Sequence, residues 1–185
     1  GTRGGIPGAS TGFTIVTHMK WTTAGGAGQF QIVQIRDGRS GEFPRGSINL
    51  AINWLQGGKQ VIQFGGTGPY GATFGLNYDF QTAGTFPSHK WHDVTMVATD
   101  DGSTGYHTLY IDGVQVDQYS NTNVNYRPYD FNTGVSIDIG NVPVIGYIYP
   151  LKFQLGGLYV HDRSFSDAEV KQNFDAYNGR FNFNT

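Results

Sequence analysis

The 185-residue chain carries 28 Gly, 13 Phe, 11 Tyr and 3 Trp, no Cys, and 14% charged residues for a formal net charge of −2. That length holds one domain, two Glu and five Lys are too few to clothe long solvated helices, and the scattered Arg exclude a nucleic-acid surface. Lack of Cys excludes a disulfide framework and thiolate metal sites, no run of about 18 apolar residues supplies a transmembrane helix, and no Asn stands before x-Ser/Thr as an N-glycan acceptor would.

Residues 1–12, GTRGGIPGASTG, are Gly-rich with one large side chain, Ile6, and read as a flexible arm before a domain over 13–185. Phe13 to Trp21 alternates Phe13, Ile15, Thr17, Met19 and Trp21 against Thr14, Val16, His18 and Lys20, the period of a half-buried strand. The same period recurs in Gln29 to Ile35 and in Ser47 to Leu55, where Ile48, Leu50, Ile52 and Trp54 oppose Asn49 and Asn53. Gly57 and Gly58 turn that strand into Gln60 to Phe64. Strands follow at Ala72 to Phe80, Trp91 to Thr99, His107 to Ile111, Val114 to Tyr119, Val135 to Ile139 and Lys152 to Asp162. Asp112-Gly113 is a two-residue hairpin turn, because such turns need positive φ. Ten or eleven short, evenly spaced strands predict a sandwich or barrel.

One helix is expected over 166–178. Ser166 and Glu169 form a capping box, Phe165 and Val170 the matching staple, and Gly179 the left-handed stop. Val170, Phe174 and Tyr177 fall on one face, so the helix lies against the sandwich. Phe181 and Phe183 alternate with Asn182 and Asn184, which suggests an added edge strand.

The segments FTIVTHMKW, WHDVTMVATDDGSTGYHTLYIDGVQV and GGLYVHDRSFSDAEV resemble the opening, middle and closing parts of concanavalin A-like, laminin-G-like sandwich domains. The ending KQNFDAYNGRF is similar to the end of such domains in tailed-phage and other virion surface proteins. The resemblance implies an all-β, two-sheet antiparallel jelly-roll sandwich with one short C-terminal helix. It leaves sugar binding, glycan cleavage, adhesion and particle assembly open.

Cleavage is disfavoured by the residues themselves. A glycosidase needs two carboxyl groups facing one bond, yet the two Glu are Glu42, alone in a Gly-rich loop, and Glu169, used by the helix cap. The His are expected as surface or half-buried strand residues, and His89 with His92 makes a poor zinc pair. Calcium ligands are sought first at Asp37 and Glu42, whose loop adds free carbonyls, and then at Asp100 and Asp101. Sugar binding calls for aromatic rings outside the strands with polar neighbours. Tyr126, Arg127, Tyr129, Asp130 and Phe131 share one loop, and Tyr70 and Tyr147, with Phe43 and Tyr149, lie in others. Trp21, Trp54 and Trp91, in strands, are core candidates.

The expectation is a non-catalytic, surface-displayed structural or adhesion module. Its implied form is a virion structural protein such as a capsid decoration, tail or fibre, on the virion surface or otherwise extracellular. Expected partners are neighbouring subunits of a virion or filament and cell-surface glycans, without nucleic acid or membrane insertion, and with no cofactor unless calcium is bound. The alternative is a stand-alone extracellular lectin or glycan-binding module, with a glycoside hydrolase or lyase ranked below both.

Overall fold

The structure, a computed structural model, describes residues 12–23, 29–36, 47–54, 60–67, 73–122, 136–140 and 152–183. Strands β1 (Gly12–Thr23), β2 (Gln29–Arg36), β3 (Ser47–Trp54), β4 (Gln60–Thr67) and β5 (Thr73–Tyr78) precede a one-turn helix α1 (Phe80–Ala83). Then come β6 (His92–Asp100), β7 (Gly105–Ile111), β8 (Val114–Asn121), β9 (Ser136–Ile139), β10 (Lys152–His161) and the helix α2 (Asp167–Phe181). Two five-stranded antiparallel sheets result, ordered β10-β1-β6-β7-β8 and β5-β4-β3-β2-β9. This is an all-β sandwich in a jelly-roll-like arrangement with a C-terminal helix.

Alternation in the sequence decides which residues meet between the sheets. Phe13, Ile15 and Met19 of β1 stand opposite Ala98, Met96 and His92 of β6, and the first set packs against Leu50, Ile52, Ile62, Phe64 and Leu76 of the second sheet. A bulge at Ile32 breaks the β2–β3 register between Gln31 and Val33, so that Ile32 and Val33 both enter the core. One end of the core is closed by rings: Trp21 stands edge-on to Phe80 at 5.8 Å and stacked on Phe86 at 6.0 Å. Phe80 is therefore not strand, as the sequence suggested, but the first residue of α1, turned inward and buried. Asp112 and Gly113 take φ of 52° and 77°, the paired positive values expected of the β7–β8 turn.

The other half of β1 is buried as well. Thr14, Val16 and His18 face away from the second sheet yet are out of water, because α2 and the residues after it cover the outside of the first sheet, here called the helix-side sheet. The capping box is formed: Glu169 N–H reaches Ser166 Oγ at 3.3 Å, and Ser166 N–H reaches Glu169 Oε2 at 2.9 Å. Phe165 and Val170 pack with Val97 and Tyr110. Tyr110 donates to Asp167 Oδ1 at 2.6 Å; burial, then this bond and the charge of Asp167, raise the phenol well above its usual range.

The end of α2 departs from the sequence reading. The helix runs through Gly179 to Phe181, and the left-handed residue is Asn182, φ 50°, whose N–H closes onto Asn178 O at 2.8 Å. Asn accepts this conformation more readily than other side chains with a Cβ. Extending the helix lets Phe181 meet Trp91 at 5.1 Å and Phe183, 2% exposed, stack with Phe174 and Phe181. Apolar burial thus outweighs the edge strand expected here. Among the described residues, no helix is long and apolar enough to cross a membrane.

Candidate functional site

The far sheet, β5-β4-β3-β2-β9, carries polar residues at the positions that alternate with its core residues. Its inner residues, Val33, Ile35, Leu50, Ile52, Ile62, Phe64 and Leu76, belong to the core. Positions between them belong to the other face. Register aligns Asp138, Gln34, Asn49, Gly65 and Gly75 in one row across the five strands. A second row runs Gln31, Ala51, Gln63 and Asn77, and a third Gln29, Asn53 and Val61. Ser136, Arg36, Ser47, Thr67 and Thr73 make the row beyond Asp138. On that face the described residues are largely out of water: Gln34, Ala51 and Val61 are buried and Gln63 is half-buried. Gln34 is 4% exposed, and its side-chain oxygen is buried without a hydrogen-bond partner.

An unmet buried carbonyl is rare, since leaving it so costs about 1–3 kcal/mol. Its chemistry is that of a hydrogen-bond acceptor. The polar half of the alternation in QFQIVQI and SINLAINW was the signal for this face. Solvent-facing strand positions are ordinarily polar, so this pattern does not by itself mark the face.

The helix-side sheet holds a second polar group, buried around His18 and Asp93, in which His18 Nδ1 has no hydrogen-bond partner. On adjacent strands, His18 Nε2 donates to Asp93 Oδ2 at 3.1 Å with both side chains 0% exposed. Thr95 Oγ1 donates to Asp93 Oδ1 at 2.7 Å. The His18 ring is enclosed by Tyr159, Tyr177, Phe181 and Phe183 at centroid distances of 4.5–5.6 Å. Asp112 Oδ1 accepts from Asp93 N–H at 2.9 Å, and the ring nitrogens of His92 lie 2.9 Å from Asp112 Oδ2 and 3.0 Å from Pro87 O. With both nitrogens of His92 engaged, the His89–His92 pair is not a zinc site. His107, on the inner face of β7, lies edge-on to Phe64 at 5.5 Å, and burial lowers its pKa to about 4. His18, His92 and His107 are thus core residues rather than surface ones, because α2 covers one face of their sheet and the far sheet covers the other.

Most residues singled out from the sequence lie outside the described residues: Tyr70, Tyr126, Arg127, Tyr129, Asp130, Phe131 and Tyr147 for sugar, Asp37 and Glu42 for calcium. Asp100 and Asp101 are described and serve a turn. Asp101 Oδ1 accepts from Ser103 N–H, Ser103 Oγ and Thr104 N–H at 2.7–2.8 Å, bonds that hold its pKa near about 2. Asp100 Oδ1 accepts from Gly102 N–H. Among the described residues, no group of three or more His, Cys, Asp or Glu gathers as metal ligands. Trp21 is in the core as expected, whereas Trp91 is half-buried beside Phe181.

A family model described as the concanavalin A-like lectin/glucanases superfamily matches residues 4–171. The chain belongs to that superfamily. Superfamily membership agrees with the sandwich and with the strand motifs that carried the resemblance. No curated protein matches the sequence. Among solved structures, the receptor binding domain of botulinum neurotoxin C/D mosaic serotype matches with TM-score 0.64 and 14% identity, over 91% of this chain and 37% of that one. The botulinum neurotoxin serotype D binding domain gives 0.62 and 16%, over 90% and 37%. A structure of botulinum neurotoxin type C, whose cell entry depends on interaction with two ganglioside molecules, gives 0.62 and 14%, over 92% and 37%. This chain therefore spans little more than a third of those chains, and the likeness is one of fold.

These matches correct the expectation of a virion structural protein, with its capsid-decoration role, its virion-surface location and its partners among virion or filament subunits. Solved structures that share the fold include binding domains of botulinum neurotoxins. The residues behind the virion reading have an internal use as well. KQNFDAYNGRF is the body of α2, and Phe181 and Phe183 pack on the chain's own sheet instead of docking on a neighbour.

Proposed function

We propose that this chain is a non-catalytic glycan-binding module acting outside the cell, with the outer face of the far sheet as its contact surface. The observation that carries this reading is the buried, unpartnered oxygen of Gln34, on a strand whose register sets it beside Asp138 and Asn49. Sugar hydroxyls pair with amides and carboxylates as both donors and acceptors. The superfamily includes lectins, and gangliosides are the partners of one neurotoxin that shares the fold; both support the reading. Tyr126, Arg127, Tyr129, Asp130, Phe131, Tyr70 and Tyr147 are proposed as the loop contribution to the same contact.

A glycan array probed with the purified chain tests this. Binding to at least one neutral or sialylated glycan is expected. In Gln34→Met, which keeps the side-chain length but loses the acceptor, affinity should fall about three- to tenfold, and further in Tyr126→Ala with Tyr129→Ala. A blank array, or full binding in all these variants, would overturn the proposal.

A further inference from the structure

We propose that the end of α2, with the strands beneath it, forms a docking surface for an acidic, extended segment of a partner protein that also carries large apolar side chains. It lies on the other side of the sandwich from the far-sheet face and takes a different class of ligand. Its floor is a strip of half-buried rings. Tyr159 of β10 lies 5.7 Å from Tyr177, Phe181 follows one helical turn on, and Trp91 lies 5.1 Å from Phe181. Partly exposed Tyr and Trp with an Arg at their border have the composition of an interface centre. The strip is set before any partner arrives. The His18 ring supports Tyr177 and Phe181 from below at 4.5 and 4.9 Å, and Phe183 stacks on Phe181 at 5.4 Å. Gly156 has no side chain to collide with the rings of Phe181 and Trp91. Rings held in this way lose little freedom on binding.

Charge selects the partner. The Arg180 guanidinium lies 5.2 Å from the centre of the Phe181 ring, and Lys90 precedes Trp91 in the chain. Met19 of β1 pairs with His92, so Lys20, the next residue, stands beside Trp91 and shares the face of His18. Lys90 and Arg180 are exposed and Lys20 is half-buried. Among the described residues, none of these three cations makes an ion pair. The first half of α2 differs, because Glu169 holds Arg163 at 2.7 Å and Asp175 holds Lys171. Uncompensated positive charge therefore gathers beside the rings, on a chain whose net charge is −2. Carboxylates of a bound segment complement that rim, while its apolar side chains cover the rings. An anionic bilayer fits less well. A planar surface resting on α2 would also bring its charge within a Debye length of Asp167, Glu169 and Asp175, which a narrow segment lying across one end avoids.

Titration of the chain with the synthetic peptide EDLEDFEDLE tests the proposal, read by fluorescence anisotropy of the labelled peptide and by the ¹⁵N NMR signal of the Trp91 indole. The comparison ligands are SSLSSFSSLS, EDGEDGEDGE and vesicles of phosphatidylserine with phosphatidylcholine. EDLEDFEDLE should bind, shift the Trp91 signal and weaken as salt is raised. Lys90→Glu combined with Arg180→Glu should lower its affinity at least about tenfold, with the chain still folded, since both positions are exposed. The milder pair Lys90→Gln with Arg180→Gln should act in the same direction. Both control peptides should bind several-fold more weakly, one lacking the charge and the other the apolar side chains. No binding of EDLEDFEDLE, equal affinity in the charge variants, or equal affinity of either control peptide would overturn the proposal. Preferential binding of the vesicles would overturn it in favour of a membrane surface. Gln34→Met should bind the peptide as the wild type does, so that a blank glycan array and a failed peptide titration remain separate results.

Discussion

His107 makes acid stability a direct test of the packing between the sheets. Its ring is 1% exposed on the inner face of β7, against Phe64 and near Tyr119. Burial there lowers its pKa from 6.5 to about 4. Between those values the unfolded chain binds a proton that the folded chain does not. Stability is therefore complete above about pH 6.5 and falls as the pH drops toward about 4. At pH 5 the loss amounts to about 2 kcal/mol, at about 1.4 kcal/mol per pH unit below the unfolded value. For a domain of this size that corresponds to a melting temperature lower by about 4–8 °C. Thermal denaturation at pH 7 and pH 5, followed by near-ultraviolet circular dichroism, reads the effect in the wild type and in His107→Leu. The other His are common to both proteins. Asp101 and Glu169, whose pKa values are lowered by backbone hydrogen bonds, respond only at lower pH. The variant should lose most of the pH-dependent decrease. An equal decrease in both proteins would refute the placement of an uncharged His107 in the core.

Asp93→Ala strands the buried His18 ring and Thr95 hydroxyl, and should cost about 3–5 kcal/mol in urea denaturation. Ser166→Ala removes the cap acceptor of α2, and a loss of about 1 kcal/mol is expected; an unchanged urea midpoint would mean that packing alone fixes the helix. At Gly156 an added Cβ would clash with the Phe181 ring and fall 3.0 Å from Trp91. Gly156→Ala should therefore displace the end of α2 and destabilise by about 1–3 kcal/mol, with Trp fluorescence reporting the change at Trp91.

Strand identity, the Asp112-Gly113 turn and the cap of α2 were legible because each depends on local chemistry. Alternation marks a strand, paired positive φ marks the turn, and Ser166 with Glu169 satisfies donors three residues apart. The end of α2 was not, because its extension past Gly179 rests on Phe181 and Phe183 reaching Trp91 and Phe174, contacts that no local pattern contains. Nor was the burial of His18, since its burial depends on strand neighbours and on a helix more than 140 residues further along the chain.

Composition alone determined that this chain is a strand-built domain poor in paired catalytic carboxylates, and its motifs pointed to the superfamily that the family model shows. Which polar residues matter was decided by tertiary structure. Register gathers Gln34, Asn49 and Asp138 from three separated strands into one row, and α2 brings Phe181, with Arg180 over its ring, beside Trp91. A binding surface is a property of distances between segments, and the order of residues along a chain does not contain those distances until the sheets have paired.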